Sequence, residues 1–166
     1  MIWGMSTATF TFLHVLISLV GIGSGLIVMF GFLSGNRLDR WTAVFLTTTA
    51  LTSITGFGFP FDHLLPSHIV GLMSLGILVF VIPARYWFQL DGPWRWIYVI
   101  GAAVALYFNV FVLIVQCFEK VPALKALAPT QKEAPFVVAQ LAALLFFVAL
   151  TVFATVRFHP KTIRTA

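Results

Sequence analysis

The stretch Thr9–Leu33, TFTFLHVLISLVGIGSGLIVMFGFL, is an apolar run without a single Asp, Glu, Lys or Arg. A bilayer core about 30 Å thick needs about 20 helical residues at 1.5 Å each, so this run is long enough to cross one. The turn sequence Ser34-Gly35-Asn36 closes it, ahead of Arg37, Asp39 and Arg40. The rest of the chain repeats the pattern. A second span is predicted from Trp41 to Phe59, before Pro60, its interior rich in hydroxyls from Thr47-Thr48-Thr49 to Thr55. A third runs from Ser67, a candidate N-cap, to Phe88, with Pro83 placed to kink its last turns. Gly92-Pro93 opens a fourth, which continues to Phe118. A polar loop from Val121 to Ala134 precedes a fifth, from Pro135 to Phe158.

The expected fold is therefore an all-α integral membrane protein, a single five-helix transmembrane bundle covering residues 1–166. Composition agrees: 60% of the residues are hydrophobic and 9% charged, and the mean hydropathy is +1.02. A water-soluble domain carries about one quarter charged residues and could not hide this much apolar surface. The net charge of +5 is too dispersed among apolar runs to form a basic groove for nucleic acid. It reads instead as a topology signal. Five spans put the termini on opposite sides, with Arg37, Arg40, Arg85, Arg95, Arg157, Lys161 and Arg164 on one and only Lys120, Lys125 and Lys132 on the other. Short cytoplasmic loops retain Lys and Arg, so the arginine side is expected to be cytoplasmic and the amino terminus external. Trp41, Trp87, Trp94 and Trp96 fall at the same interface, as an aromatic belt would. No Lys or Arg precedes the first run, so a cleaved signal peptide is not expected. Cys117 is the sole cysteine, which rules out an intrachain disulfide.

Projected onto this topology, His14, Asp62, His63, His68, Gln116 and Gln140 converge on the external layer. Ionisable and amide groups are costly in hydrocarbon and turn toward the bundle interior or a wet cavity. His14 and His68, on different helices at comparable depth, form a candidate pair of ligands to haem b. His14, Asp62, His63 and His68 form a candidate set for zinc or copper, although their spacing matches no closed structural site. Gln116 and Gln140 add amides at that level, and Asn109, seven residues before Gln116, supplies another that could meet a quinone carbonyl. Against each stands a plainer reading, in which the histidine and the amides bond neighbouring helices and Asp62-His63 marks a hydrated turn. His14, Ser18, Gly21 and Gly25 share one helical face, with a G-x-x-x-G element that lets a backbone approach closely.

All five acidic residues, Asp39, Asp62, Asp91, Glu119 and Glu133, lie in loops or at helix ends, which disfavours proton- or sodium-coupled transport through a midplane carboxylate. There is no phosphate loop, H-E-x-x-H or G-x-S-x-G. The stretch Thr48 to Leu75, with Gly56-Phe57-Gly58-Phe59-Pro60-Phe61 and Pro66-Ser67-His68, resembles small polytopic inner-membrane proteins of bacteria. So do Ala105-Leu106-Tyr107-Phe108-Asn109-Val110 and the run Val121 to Gln131. The resemblance implies a bacterial inner-membrane location and brings no activity or cofactor with it. Two expectations follow: a non-enzymatic membrane component, such as an accessory subunit or homo-oligomer, or a haem- or quinone-binding protein whose site opens externally.

Overall fold

A computed structural model describes residues 1–60 and 66–159. Among them the chain is helical: α1 (Thr7–Leu33), α2 (Asp39–Gly56), α3 (Pro66–Tyr86), α4 (Trp94–Lys120), α5 (Pro122–Leu127) and α6 (Ala134–Arg157). The sequence expectation did not contain α5, a six-residue helix begun by Pro122 within the polar loop. α3 begins at Pro66, so Ser67 lies inside the helix and does not cap it. It is Pro93 that takes the N-cap position of α4.

α1, the Ser67–Tyr86 part of α3, α4 and α6 are each long and apolar enough to cross a membrane. The expected count was five. α2 falls short on composition, because Asp39, Arg40 and its row of Thr and Ser residues dilute the apolar content of an 18-residue helix.

The helices pack as an antiparallel bundle whose register is set by small residues. Between α1 and α2, Gly35 (φ +70°) and Leu38 (φ 43°) take left-handed conformations that reverse the chain, and the Leu38 side chain then seats on Gly31. From there the two helices stay in contact to their far ends: Gly25 faces Phe45, Gly21 faces Thr48, Ser18 meets Thr52 at 3.3 Å, and His14 meets Thr55 at 2.8 Å. A Cβ on Gly25 would lie 2.6 Å from Leu106 Cδ1 and 2.8 Å from the Phe45 ring, so glycine here lets α1 close on both α2 and α4. The G-x-x-x-G face is thus a packing seam. Gly101 plays the same part between α4 and α3, where Val81 occupies the space a side chain would need. α6 packs on α4 and α1, closing against Phe32 and Tyr107 through Phe158 and Phe147.

The polarity of this bundle is the reverse of a soluble one. Val79, Phe80, Leu145 and Val156 are each 60% exposed or more. Ser24, Thr42, Thr49, Ser53, Ser74 and Arg85 are buried. That distribution suits a hydrocarbon surround and would be unstable in water.

Candidate functional site

Two polar layers lie at opposite ends of the bundle. The first holds the residues singled out from sequence. His14 projects from α1 toward α2, where its Nδ1 hydrogen-bonds the Thr55 hydroxyl at 2.8 Å and its ring sits edge-on to Phe59 at 5.2 Å. Thr55 also donates to the Leu51 carbonyl, and so accepts the proton of an Nδ1–H tautomer. His68, in the first turn of α3, is buried with its ring stacked on Phe57 at 5.3 Å. Thr55 faces α1, whereas Phe57 faces α3, where it also meets Gly71. The end of α2 therefore engages the two imidazoles through different residues. Asp62 and His63, the other members of the expected metal set, lie outside the described residues. Among the described residues no group of three His, Cys, Asp or Glu side chains is placed to hold a metal ion.

The amides expected in the same layer divide between seams. Gln140 Nε2 donates to the Phe111 carbonyl at 3.3 Å across α6 and α4, and its buried Oε1 has no partner among the described residues. Gln116 is exposed. Asn109 Nδ2 donates to Thr49 Oγ1 at 3.1 Å, tying α4 to α2 in the bundle interior. Asn109 and Gln116, although seven residues apart, end with one amide inside and the other outside.

Just beyond this layer the loop before α6 is built around Glu133. Its carboxylate accepts from the Thr130 hydroxyl at 2.8 Å and from the backbone N–H groups of Thr130 and Lys132. A little desolvation pushes the Glu133 carboxyl up, and the hydrogen bonds from Thr130 and the backbone outweigh it, holding the group below its ordinary value.

The second layer, at the arginine end, was not anticipated as a site. Arg85 is 3% exposed, at the end of α3, and its Nη2 donates to Asp39 at the start of α2. Its guanidinium also lies 6.0 Å from the centroid of the Tyr98 ring and 5.6 Å from that of Tyr86, both within cation–π range. Tyr98 is wholly buried, and its hydroxyl hydrogen-bonds Thr42 at 3.1 Å. Phe32 closes on Tyr98 from α1, and Arg95 Nη1 donates to the Phe158 carbonyl at 2.7 Å, binding the end of α6 to the start of α4. All five long helices, α1, α2, α3, α4 and α6, are joined there. Arg37 shares Asp39, at 3.7 Å, and donates to Gln89. The signal that could have exposed this layer is the coincidence of Arg85 and Asp39 at facing helix ends. Arg85 was read only as a topology marker and Asp39 only as a carboxylate at a helix end, so the two were not paired.

Between the layers, most hydroxyls bond within their own helix, as Ser24 does to Val20, Ser53 to Thr49 and Thr151 to Phe147. Compared with known proteins, the chain matches no family model, no curated protein and no solved structure.

Proposed function

We propose that the chain crosses the bacterial inner membrane five times, with its amino terminus outside and its carboxyl terminus in the cytoplasm. It serves there as a non-enzymatic component, an accessory subunit of a larger complex or a small homo-oligomer. The observation that carries this reading is the inverted polarity of α2. Thr42, Thr49 and Ser53 turn inward, while Trp41, Val44, Leu51 and Ile54 are exposed. An amphipathic helix on a soluble protein is arranged the other way round. In lipid the hydroxyls belong inside, bonded to carbonyls and to adjoining helices, and that is where α2 carries Thr42, Thr49 and Ser53, with Thr47 alone among its hydroxyls exposed. At 1.5 Å per residue its 18 residues reach about 27 Å, close to the thickness of the hydrocarbon core. Arg37, Arg40, Arg85, Arg95 and Arg157 share one end, which favours that end as cytoplasmic. Lys161 and Arg164, expected there too, lie outside the described residues.

A structural role follows from where the polar side chains are spent. His14, Asn109, Tyr98 and Arg85 each bond a residue of a neighbouring helix. Together they lock the bundle. α6 leaves Val138, Leu141, Leu145, Val152 and Val156 facing outward, a row available to lipid or to an adjoining subunit. The experiment is a visible absorption spectrum and quinone extraction on the detergent-purified protein, with its mass measured in the same preparation. A colourless, quinone-free protein is expected. A stoichiometric Soret band would transfer the assignment to haem b, with His14 and His68 as the first ligands to substitute. Stoichiometric quinone would move attention to Gln140 and Gln116.

A further inference from the structure

A groove of about 400 Å³ runs between α2 and α3, lined by Ala43, Leu46, Thr47, Ala50, Ile82 and Tyr86. It is nearly apolar, and it opens on the bundle's outer surface because Ala43, Thr47 and Ala50 are small where α2 faces out. Its axis follows α2 from Ala43 to Leu51, about 12 Å, or most of one leaflet of a hydrocarbon core about 30 Å thick. Above it stands unbalanced charge. Arg40 lies one turn before Ala43 on the same face, exposed and without a hydrogen bond or ion pair among the described residues. Asp39 is the only carboxylate in this turn and is already shared by Arg37 and Arg85. The Arg37 contact is the weaker one: its buried Nε faces Asp39 Oδ1 at 3.7 Å and has no hydrogen-bond partner among the described residues. Two guanidiniums thus share one carboxylate, and a third, that of Arg40, stands beside them unpaired among the described residues at the head of an apolar channel.

We propose that this groove seats an acyl chain of an anionic phospholipid from the arginine-side leaflet, with the headgroup phosphate on Arg40 and Arg37. A neutral or zwitterionic lipid would fill the channel equally well and leave the positive charge uncompensated. Juxtamembrane basic residues attract anionic lipids by about 1 kcal/mol each, which corresponds to about fivefold in affinity. The site rests on the arginine end lying at the membrane interface, as proposed above.

The test is native mass spectrometry of the full chain from mixed micelles holding equal phosphatidylglycerol and phosphatidylcholine with matched acyl chains. Wild type should retain phosphatidylglycerol in preference, Arg40→Ala should cut that preference by about fivefold, and Ala43→Phe, which fills the groove, should release both lipids. Soluble glycerol phosphate should not compete. Equal retention of the two lipids by wild type, an undiminished preference in Arg40→Ala, lipid retained by Ala43→Phe, or displacement by glycerol phosphate would each overturn the site. Failure of the membrane reading itself would look different, since neither lipid would then be retained by any variant.

Discussion

Arg85 at the end of α3 and Asp39 at the start of α2 form an ion pair of unequal burial, the guanidinium being 4% exposed and the carboxylate 66%. The arginine depends on the pair far more than the aspartate does, because only the arginine has lost its water. Asp39→Asn should therefore destabilise the bundle by about 1–3 kcal/mol, the range for a hydrogen bond to a charged group discounted by solvent on the carboxylate side. Adding Arg85→Met should restore much of the loss by removing the stranded charge. Thermal unfolding in detergent of the two single variants and the double variant checks this, and additive losses would sink it.

Within Gly21-Ile22-Gly23-Ser24-Gly25 the glycines are not equivalent. Gly25→Ala should cost about 1–3 kcal/mol, since its Cβ would meet the buried Phe45 and Leu106. A Cβ at Gly23 meets nothing within 4 Å, so Gly23→Ala should be neutral or stabilise by about 0.5–1 kcal/mol through helix propensity. Unfolding midpoints in the same detergent decide it. Equal effects would mean that the motif does not set the α1–α2–α4 approach.

How far this architecture was legible depends on which property of a residue carried the information. Run length and apolarity located α1, α3, α4 and α6 to within a few residues, because crossing hydrocarbon leaves few alternatives. The Gly21–Gly25 seam was legible for the same reason, as small residues at helical spacing have little use other than close approach. Depth was legible for His14, but its partner was not. Nothing in the sequence fixes how a helix is rotated, so Thr55 could not be chosen over the neighbouring threonines. Arg85 and Tyr98 were missed more completely. An arginine at a helix end normally snorkels to water, and only the packed positions of α2 and α4 turn this one inward.

The α1–α2 seam should weaken when the shorter of its side-chain hydrogen bonds, His14 to Thr55, is lost. Thr55→Val keeps the shape and removes the group bonded to His14, and should destabilise by about 0.6 kcal/mol, with about 1.7 as the upper bound seen for bonds of this kind in membrane bundles. Thr49→Val should behave alike through Asn109. Equilibrium unfolding of each variant beside its partner's, Thr55→Val with His14→Phe and Thr49→Val with Asn109→Leu, isolates the coupling. Zero coupling in both cycles would remove helix locking as the purpose of these groups.

The Glu133 turn gives a pH dependence of defined sign. Its folded carboxyl titrates below the ordinary value of 4.5, so the ordering it provides is present above 4.5 and is lost as pH falls through the lower, folded value. A carboxyl-labelled Glu133 titration in detergent should move upward in Thr130→Ala, which deletes the shortest of its hydrogen bonds. An unmoved titration would mean that Thr130 does not order this turn.

Whether α2 crosses the membrane is the point on which the five-span account turns, and it can be read directly from the two ends of that helix. In a Cys117→Ser background, single cysteines at Gly35 and Pro60 would be challenged in intact cells with a membrane-impermeant maleimide, before and after permeabilisation. The account predicts labelling of the Pro60→Cys chain from outside and protection of the Gly35→Cys chain until the membrane is opened. Labelling of both from the same side would contradict it, leaving four spans with α2 folded along one face of the bilayer.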